Sequence, residues 1–487
     1  MSRAPSSSII SLATQLSTRG LAHAATIAGL LSLNFAFRFA FARSFPGSVY
    51  ALILYPGAVE TIRRALAHST FQVLLPLQYD SERWHWGSSL TVLIYLLQQI
   101  LSPFAVSILL SSVFLIVAYL TVWCLFQCRT ASITVAWLWI FGTQLTYMYT
   151  TGIVVGGYIF LSYILLNFVS AYRLMFGISD TPWTRVFYLV MLALAALSSE
   201  VWLNYGLFLV FGSAYLFLWH LRHESLAAAR GSRFVLCSSI TVLICYLGIR
   251  LQVAHPFVNP GVEDELVFTY PSVVFMVEDV IGNFFTFLYT SLTNFLPPAV
   301  VASNSLVYYG PDSLVREQHG YHSAYSWLVP MNHLFFWRYY AGVVATVFCC
   351  VTLRWLRRSW QNSARVSASL VLFSIMILTG FSTHLLVKFR PYNSVPALPY
   401  KAIVSILGVS LLIGYLLALA KVRWRTGRYR LLVGVVLSVT VIAGFARPHM
   451  LTVLLAQVGL QGFSDPLGDT LHFLQKITRA LKKSLVR

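Results

Sequence analysis

The sequence predicts an all-α polytopic membrane protein with about 11 transmembrane helices. Three observations carry this. The 487 residues are 58% hydrophobic and 10% charged, against about 25% charged in soluble domains. The mean hydropathy is +0.73. Apolar stretches long enough to cross roughly 30 Å of hydrocarbon recur along the chain, whereas a membrane β-barrel would alternate in segments of about ten residues.

Spanning helices are expected at 21–43, 104–127, 131–149, 152–173, 184–199, 201–221, 233–253, 334–354, 366–387, 400–420 and 430–446. Residues 1–20 read as a cytoplasmic N-terminal segment. They are Ser-rich, carry Arg3 and Arg19, and show no cleavable signal pattern, so 21–43 reads as a signal anchor. Residues 21–446 form the membrane domain and 447–487 a C-terminal interfacial segment.

Orientation comes from the basic loops. Arg222, Arg230 and Arg233 flank one, Arg354, Arg357, Arg358 and Arg365 a second, and Lys421, Arg423, Arg425, Arg428 and Arg430 a third. Lys and Arg resist translocation, so these loops belong in the cytoplasm. Residues 44–103 and 254–333 then form two large extracytoplasmic loops, and the turns at 149–152 and 198–202 and the segment 388–399 lie on the same outer side.

Two apolar pieces of the outer loops read as interfacial helices. One is 88–101, ended by Pro103. The other is 272–297, where a crossing would put Glu278 and Asp279 in hydrocarbon, at about 2.5–3.5 kcal/mol for an Asp at mid-membrane. The tail 468–487 repeats Leu471, Leu474, Ile477, Leu481 and Leu485 at helical steps, with Lys476, Arg479, Lys482 and Lys483 between them. That pattern suits an anionic membrane surface. The frame puts the tail outside, and a further crossing near 449–463 would move it inside.

The formal charge of +19 does not indicate nucleic acid, because the cations sit in short loops between apolar helices. The six cysteines all lie in apolar helices or at their ends, which implies no disulfide framework. No internal repeat is visible, against a repeat-built transporter.

The fifteen acidic residues fall mostly on the outer side. Asp80 and Glu82 lie in QYDSERWHWGS, beside His85 and Trp86. Carboxylates there can serve as general base, hydroxyl clamp or ligand for a divalent cation. Glu60 is the earliest acid, next to Arg63 and Arg64. Glu200 stands at a tight turn, LSSEVWLNYG. The second loop carries Arg316, His319 and His322 among three tyrosines. The i, i+3 histidines permit metal ligation but form no strong metal motif. KFRPYNSVPALPYK places Lys388, Arg390, Tyr392 and Lys401 at the outer interface, where arginine suits phosphate through its planar donor fork.

This arrangement resembles the GT-C polytopic glycosyltransferases, such as protein O-mannosyltransferases and aminoarabinose transferases. WGSSLTVLIYLLQQILSPFAVSILL is similar to the family's surface helix entering the second span. LALAALSSEVWLNYG is placed like its Leu-rich pair with a charged turn, and KFRPYNSVPALPYKAI like its late Arg-Tyr segment. The family usually sets an Asp soon after the first helix, whereas here no acid precedes Glu60.

The resemblance implies transfer of a sugar from a polyprenyl-phosphate carrier to a lipid, glycan or protein acceptor, on the outer face of a bacterial inner or plasma membrane. It implies inversion, with Asp80, Glu82 or Glu60 as the catalytic carboxylate. Trp86, His85, Glu200, Arg316, His319, His322, Lys388, Arg390, Tyr392 and Lys401 would contact substrate. A divalent cation is compatible but not demanded. Three other classes stay open: an O-antigen ligase or polymerase, a lipid-linked glycan transporter or flippase, and a non-catalytic assembly subunit.

Overall fold

The computed structural model describes residues 6–44, 77–80, 83–85, 93, 96–97, 99–141, 152–198, 201–223, 225–253, 364–385 and 402–457, with isolated positions 277, 280–281, 284, 287–288, 291–292, 295, 347 and 354. These residues are almost entirely helical. In chain order they form α1 (Ser6–Ser44), a hairpin of β1 (Leu77–Asp80) and β2 (Arg83–His85), α2 (Pro103–Phe126), α3 (Arg129–Phe141), α4 (Gly152–Met175), α5 (Pro182–Ala196), α6 (Trp202–Arg222), α7 (Leu226–Val253), α8 (Ala364–Thr379), a 3₁₀ turn at Ser382–His384, α9 (Ile403–Arg423) and α10 (Thr426–Gln457).

Local chemistry sets several boundaries. Ser102 caps α2 by accepting the Ala105 N–H at 3.3 Å, with Pro103 in the first turn. Thr181 and Pro182 repeat the device at α5, where the Thr184 N–H donates to Thr181 Oγ1 at 3.2 Å. At the end of α4, Gly177 turns left-handed at φ +64°, and the Ile178 N–H donates back to the Arg173 carbonyl at 2.8 Å.

Among the described residues, six helical segments are long and apolar enough to cross a membrane: Gly20–Phe39, Ala105–Phe126, Gly157–Met175, Trp202–Arg222, Leu226–Gly248 and Ile403–Arg423. Pro182–Ala196 and Val366–Thr379 are shorter apolar helices, and they coincide with the expected spans 184–199 and 366–387. Helix α3 covers part of 131–149, and α10 runs through the expected 430–446 and on past Pro448. The expected span 334–354 lies outside the described residues apart from Val347 and Arg354, as does the tail 468–487 entirely. Phe211, Leu218, Ile244 and Ile442 are exposed on these helices. Such large apolar groups turned outward suit lipid contact.

The helices pack in a continuous core. α2 lies against α3 and α4, α6 against α7 and α8, and α9 against α8 and α3, while α10 covers α3. Trp139, Tyr158, Trp202, Tyr205 and Phe373 are fully enclosed. Phe381 stacks on Phe287 at 5.6 Å and meets Phe284 edge-on, and Phe295 contacts Trp139. Phe284, Phe287 and Phe295 thus pack where α8 and α3 end.

The chain order gives the bundle two distinct ends. At one end α1 finishes, α2 starts, α3 finishes, α4, α6 and α9 start, and α8 finishes. At the other lie the α2–α3, α4–α5, α6–α7 and α9–α10 connections, with Arg129, Arg173, Arg222, Arg230, Lys421 and Arg430. The first is called the hairpin end here, since β1 and β2 lie in the segment joining α1 to α2. The second is the basic end.

Candidate functional site

Helix α1 carries two polar residues four positions apart in an apolar run, Asn34 and Arg38, which share one helical face. Both are buried, at 1% and 5% exposure. Arg38 lies in the last turn of the span-length apolar segment Gly20–Phe39, near one end of it. Its Nε–H donates to Asn34 Oδ1 at 3.0 Å, Nη1 to Ser107 Oγ of α2 at 3.4 Å, and Nη2 to the Tyr158 hydroxyl of α4. The guanidinium carbon stands 5.1 Å from the centre of the Tyr158 ring. One turn deeper, Asn34 Nδ2 donates to Ser111 Oγ at 2.9 Å.

All the partners of Arg38 are neutral, and no carboxylate pairs with it among the described residues. Neutral hydroxyls and an amide accept from three of its nitrogens, and none of these described partners compensates its charge. A buried charge without a counter-ion costs several kcal/mol. An ionisable group within membrane spans marks a functional site by default. Three helices therefore converge on a cation that suits an anionic group.

A second polar junction lies at the same end. Asn204, fully buried in the first turn of α6, accepts the Thr383 N–H at 2.9 Å and the Thr383 hydroxyl at 2.8 Å through Oδ1. The start of α9 is locked beside it. Ser405 Oγ donates to the Ile377 carbonyl at 2.7 Å, and a side chain at Gly380 would overlap the Ser405 backbone. Next to Asn204, the buried indole N–H of Trp202 has no acceptor among the described residues.

The sequence-selected residues divide into three groups. Asp80 and His85 are described through their backbone: β1 and β2 are antiparallel, pairing Leu77 with His85 and Asp80 with Arg83. Glu60, Glu82, Trp86, Arg316, His319 and His322 lie outside the described residues. So do Glu200, Lys388, Arg390, Tyr392 and Lys401, but their described flanks meet. Val201–Asn204 follows Glu200, Ser382–Leu385 precedes Lys388, and Ala402–Ser405 follows Lys401. The Asn204–Thr383 and Ser405–Ile377 contacts draw these flanks together at the hairpin end. The described residues contain no group of three His, Cys, Asp or Glu placed to hold a metal.

Sequence reading missed Arg38. Its partners Ser107 and Tyr158 are 69 and 120 positions away. The available signal was the i, i+4 pair Asn34 and Arg38, polar on one face inside an apolar segment.

The basic end is built differently. Asp180, in the α4–α5 turn, takes both donors of Arg185, at 2.7 and 2.8 Å. The Arg185 guanidinium holds the Asp180 carboxyl below the ordinary carboxylate range, against an opposing effect of burial, and Arg230 adds to it. The chain matches no known family model, no curated protein and no solved structure.

Proposed function

We propose that this chain is a membrane glycosyltransferase that takes a sugar from a polyprenyl-phosphate carrier, with its site at the hairpin end. The observation that carries the reading is Arg38, a buried guanidinium near the end of its apolar segment whose partners among the described residues are all neutral. A lipid-linked phosphate enters from the bilayer and presents its charge at that depth. The basic opposite end supports placing the hairpin end on the extracytoplasmic side.

In this mechanism a carboxylate of the α1–α2 segment, Asp80, Glu82 or Glu60, orients the acceptor hydroxyl and takes its proton. The hydroxyl oxygen bonds to the anomeric carbon with inversion as the bond to the carrier phosphate breaks. Arg38, with Lys388, Arg390 or Lys401, neutralises the charge on the departing phosphate. Donors fixed where charge develops stabilise such a transition state. The phosphate is a good leaving group, so no general acid is needed.

Arg38 also fits a second reading, a transporter of lipid-linked glycans, because a cation within the spans marks an anion pathway. Proteoliposomes loaded with a labelled polyprenyl-phosphate sugar separate the two. The transferase moves label to an acceptor, and Asp80→Asn, Glu82→Gln or Arg390→Ala slows that transfer. Label that crosses the bilayer still attached to its carrier assigns the transporter. Transfer unchanged in all three variants sinks the carboxylate assignment.

A further inference from the structure

At the basic end, α3, α9 and α10 enclose a cleft of about 510 Å³, within the range of small-ligand sites. Lys421 from α9 and Arg430 from α10 line it from two different helices. Both are exposed, and neither has a hydrogen-bond or ion-pair partner among the described residues. Trp424 and Tyr429 line the same cleft, and the Thr130 side chain adds a hydroxyl. No carboxylate is among the described residues that line it.

We propose that this cleft binds a phosphate group, in the first instance the headgroup of an anionic phospholipid from the leaflet at the basic end. This rests on membrane embedding alone and is independent of the transferase reading. The bland account of Lys421 and Arg430 is topological anchoring, in which loop cations simply stay in the cytoplasm. Anchoring requires no cavity, and it does not require cations of two helices to converge between aromatic walls.

The chemistry of the cleft is that of a headgroup site. Arginine forks a phosphate and lysine adds a point charge, while Trp and Tyr favour the headgroup level of a bilayer. The lining continues along α10 through Val433, Gly434 and Leu437, which are apolar. Gly434 leaves open space, since a Cβ there would meet nothing within 4 Å. Cationic and aromatic residues beside an apolar stretch of α10 suit a headgroup with the start of its acyl chain. A soluble phosphate would use the cationic residues alone.

Native mass spectrometry of the full chain in detergent micelles tests this, with added phosphatidylglycerol, phosphatidylcholine of the same chains, or inorganic phosphate. The wild type is expected to hold one phosphatidylglycerol in preference to phosphatidylcholine. A cation near an anionic headgroup contributes roughly fivefold in affinity, so Lys421→Ala with Arg430→Ala weakens binding about 25-fold. Arg425→Ala with Arg428→Ala removes equal charge from positions that do not line the cleft, and changes binding less than about threefold on the same reasoning. Gly434→Phe fills the space beside that apolar stretch without altering charge. It is expected to weaken phosphatidylglycerol binding while leaving inorganic phosphate binding intact.

Inorganic phosphate bound in place of lipid, and lost in the Lys421/Arg430 variant, keeps the phosphate site and assigns it to a soluble ligand. Equal losses in the two double variants reduce the cations to general anchors and overturn the proposal. So does phosphatidylcholine bound as tightly as phosphatidylglycerol.

Discussion

Replacing Arg38 with methionine separates a cation held for function from one held for structure. Arg38→Met keeps the length and apolar stem of the side chain and removes the charge. Three hydrogen bonds go with it, to Asn34, Ser107 and Tyr158. Bonds to a charged group contribute about 1.5–3 kcal/mol each. Against that stands the desolvation of an unpaired guanidinium, itself several kcal/mol. Asn34 keeps its bond to Ser111, so the site retains part of its order. The opposing effects nearly cancel, and the net change in stability is expected within about 2 kcal/mol of zero, in line with buried charges replaced by apolar groups.

Activity should respond quite differently. One charged donor lost from a developing phosphate anion lowers turnover about 10²- to 10³-fold. Arg38→Lys restores charge without the planar fork and should recover part of that loss. The assay pairs thermal unfolding in detergent with transfer from a labelled polyprenyl-phosphate sugar in proteoliposomes. Turnover of Arg38→Met within about threefold of wild type removes Arg38 from the site. A collapse of thermal stability, with Arg38→Lys both stable and active, makes Arg38 a clamp between α1, α2 and α4.

Three further outcomes test the packing. A side chain at Gly231 would overlap the Leu174 carbonyl, whereas one at Gly248, on the same helix, meets nothing within 4 Å. Gly231→Ala should therefore destabilise by about 1–3 kcal/mol, while Gly248→Ala is neutral or stabilising by up to about 1 kcal/mol, both read from melting midpoints. Asn204→Ala leaves the Thr383 N–H without its acceptor and should cost about 1–3 kcal/mol, again by thermal unfolding. The Asp180 carboxyl is held below its ordinary range by Arg185, so its contribution is present above the unfolded carboxylate pKa and is lost as pH falls through the lower folded value. The pair is largely exposed, so Asp180→Asn should lower stability at pH 7 by less than about 1 kcal/mol. That gap between wild type and variant should close in acid, as melting curves across the pH range would report.

The spans were legible because hydropathy is a local property. The expected helices at 104–127, 152–173 and 201–221 correspond to Pro103–Phe126, Gly152–Met175 and Trp202–Arg222. Three features escaped for physical reasons. α1 begins at Ser6, ahead of its span-length segment Gly20–Phe39, because Ile9, Ile10, Leu12 and Leu16 recur among serines too sparsely for a span-length average to register. The strand pairing of Leu77–Asp80 with Arg83–His85 sits in a stretch whose carboxylates invited a chemical reading before a structural one. The Arg38 cluster depends on contacts across helices, which no local pattern encodes.

The two ends also show why charge counting alone misleads in a membrane protein. At the basic end, a cation is what topology demands of any cytoplasmic loop, so each Arg or Lys there is explained before its surroundings are considered. Only the convergence of Lys421 and Arg430 on one cleft adds information. At the hairpin end the demand runs the other way. Nothing in topogenesis calls for a guanidinium enclosed by Asn34, Ser107 and Tyr158, whose hydrogen bonds about balance the cost of its burial. The carrier phosphate proposed above is the anion that would use such a cation. The informative cation is therefore the isolated one, and in the first helix that residue is Arg38.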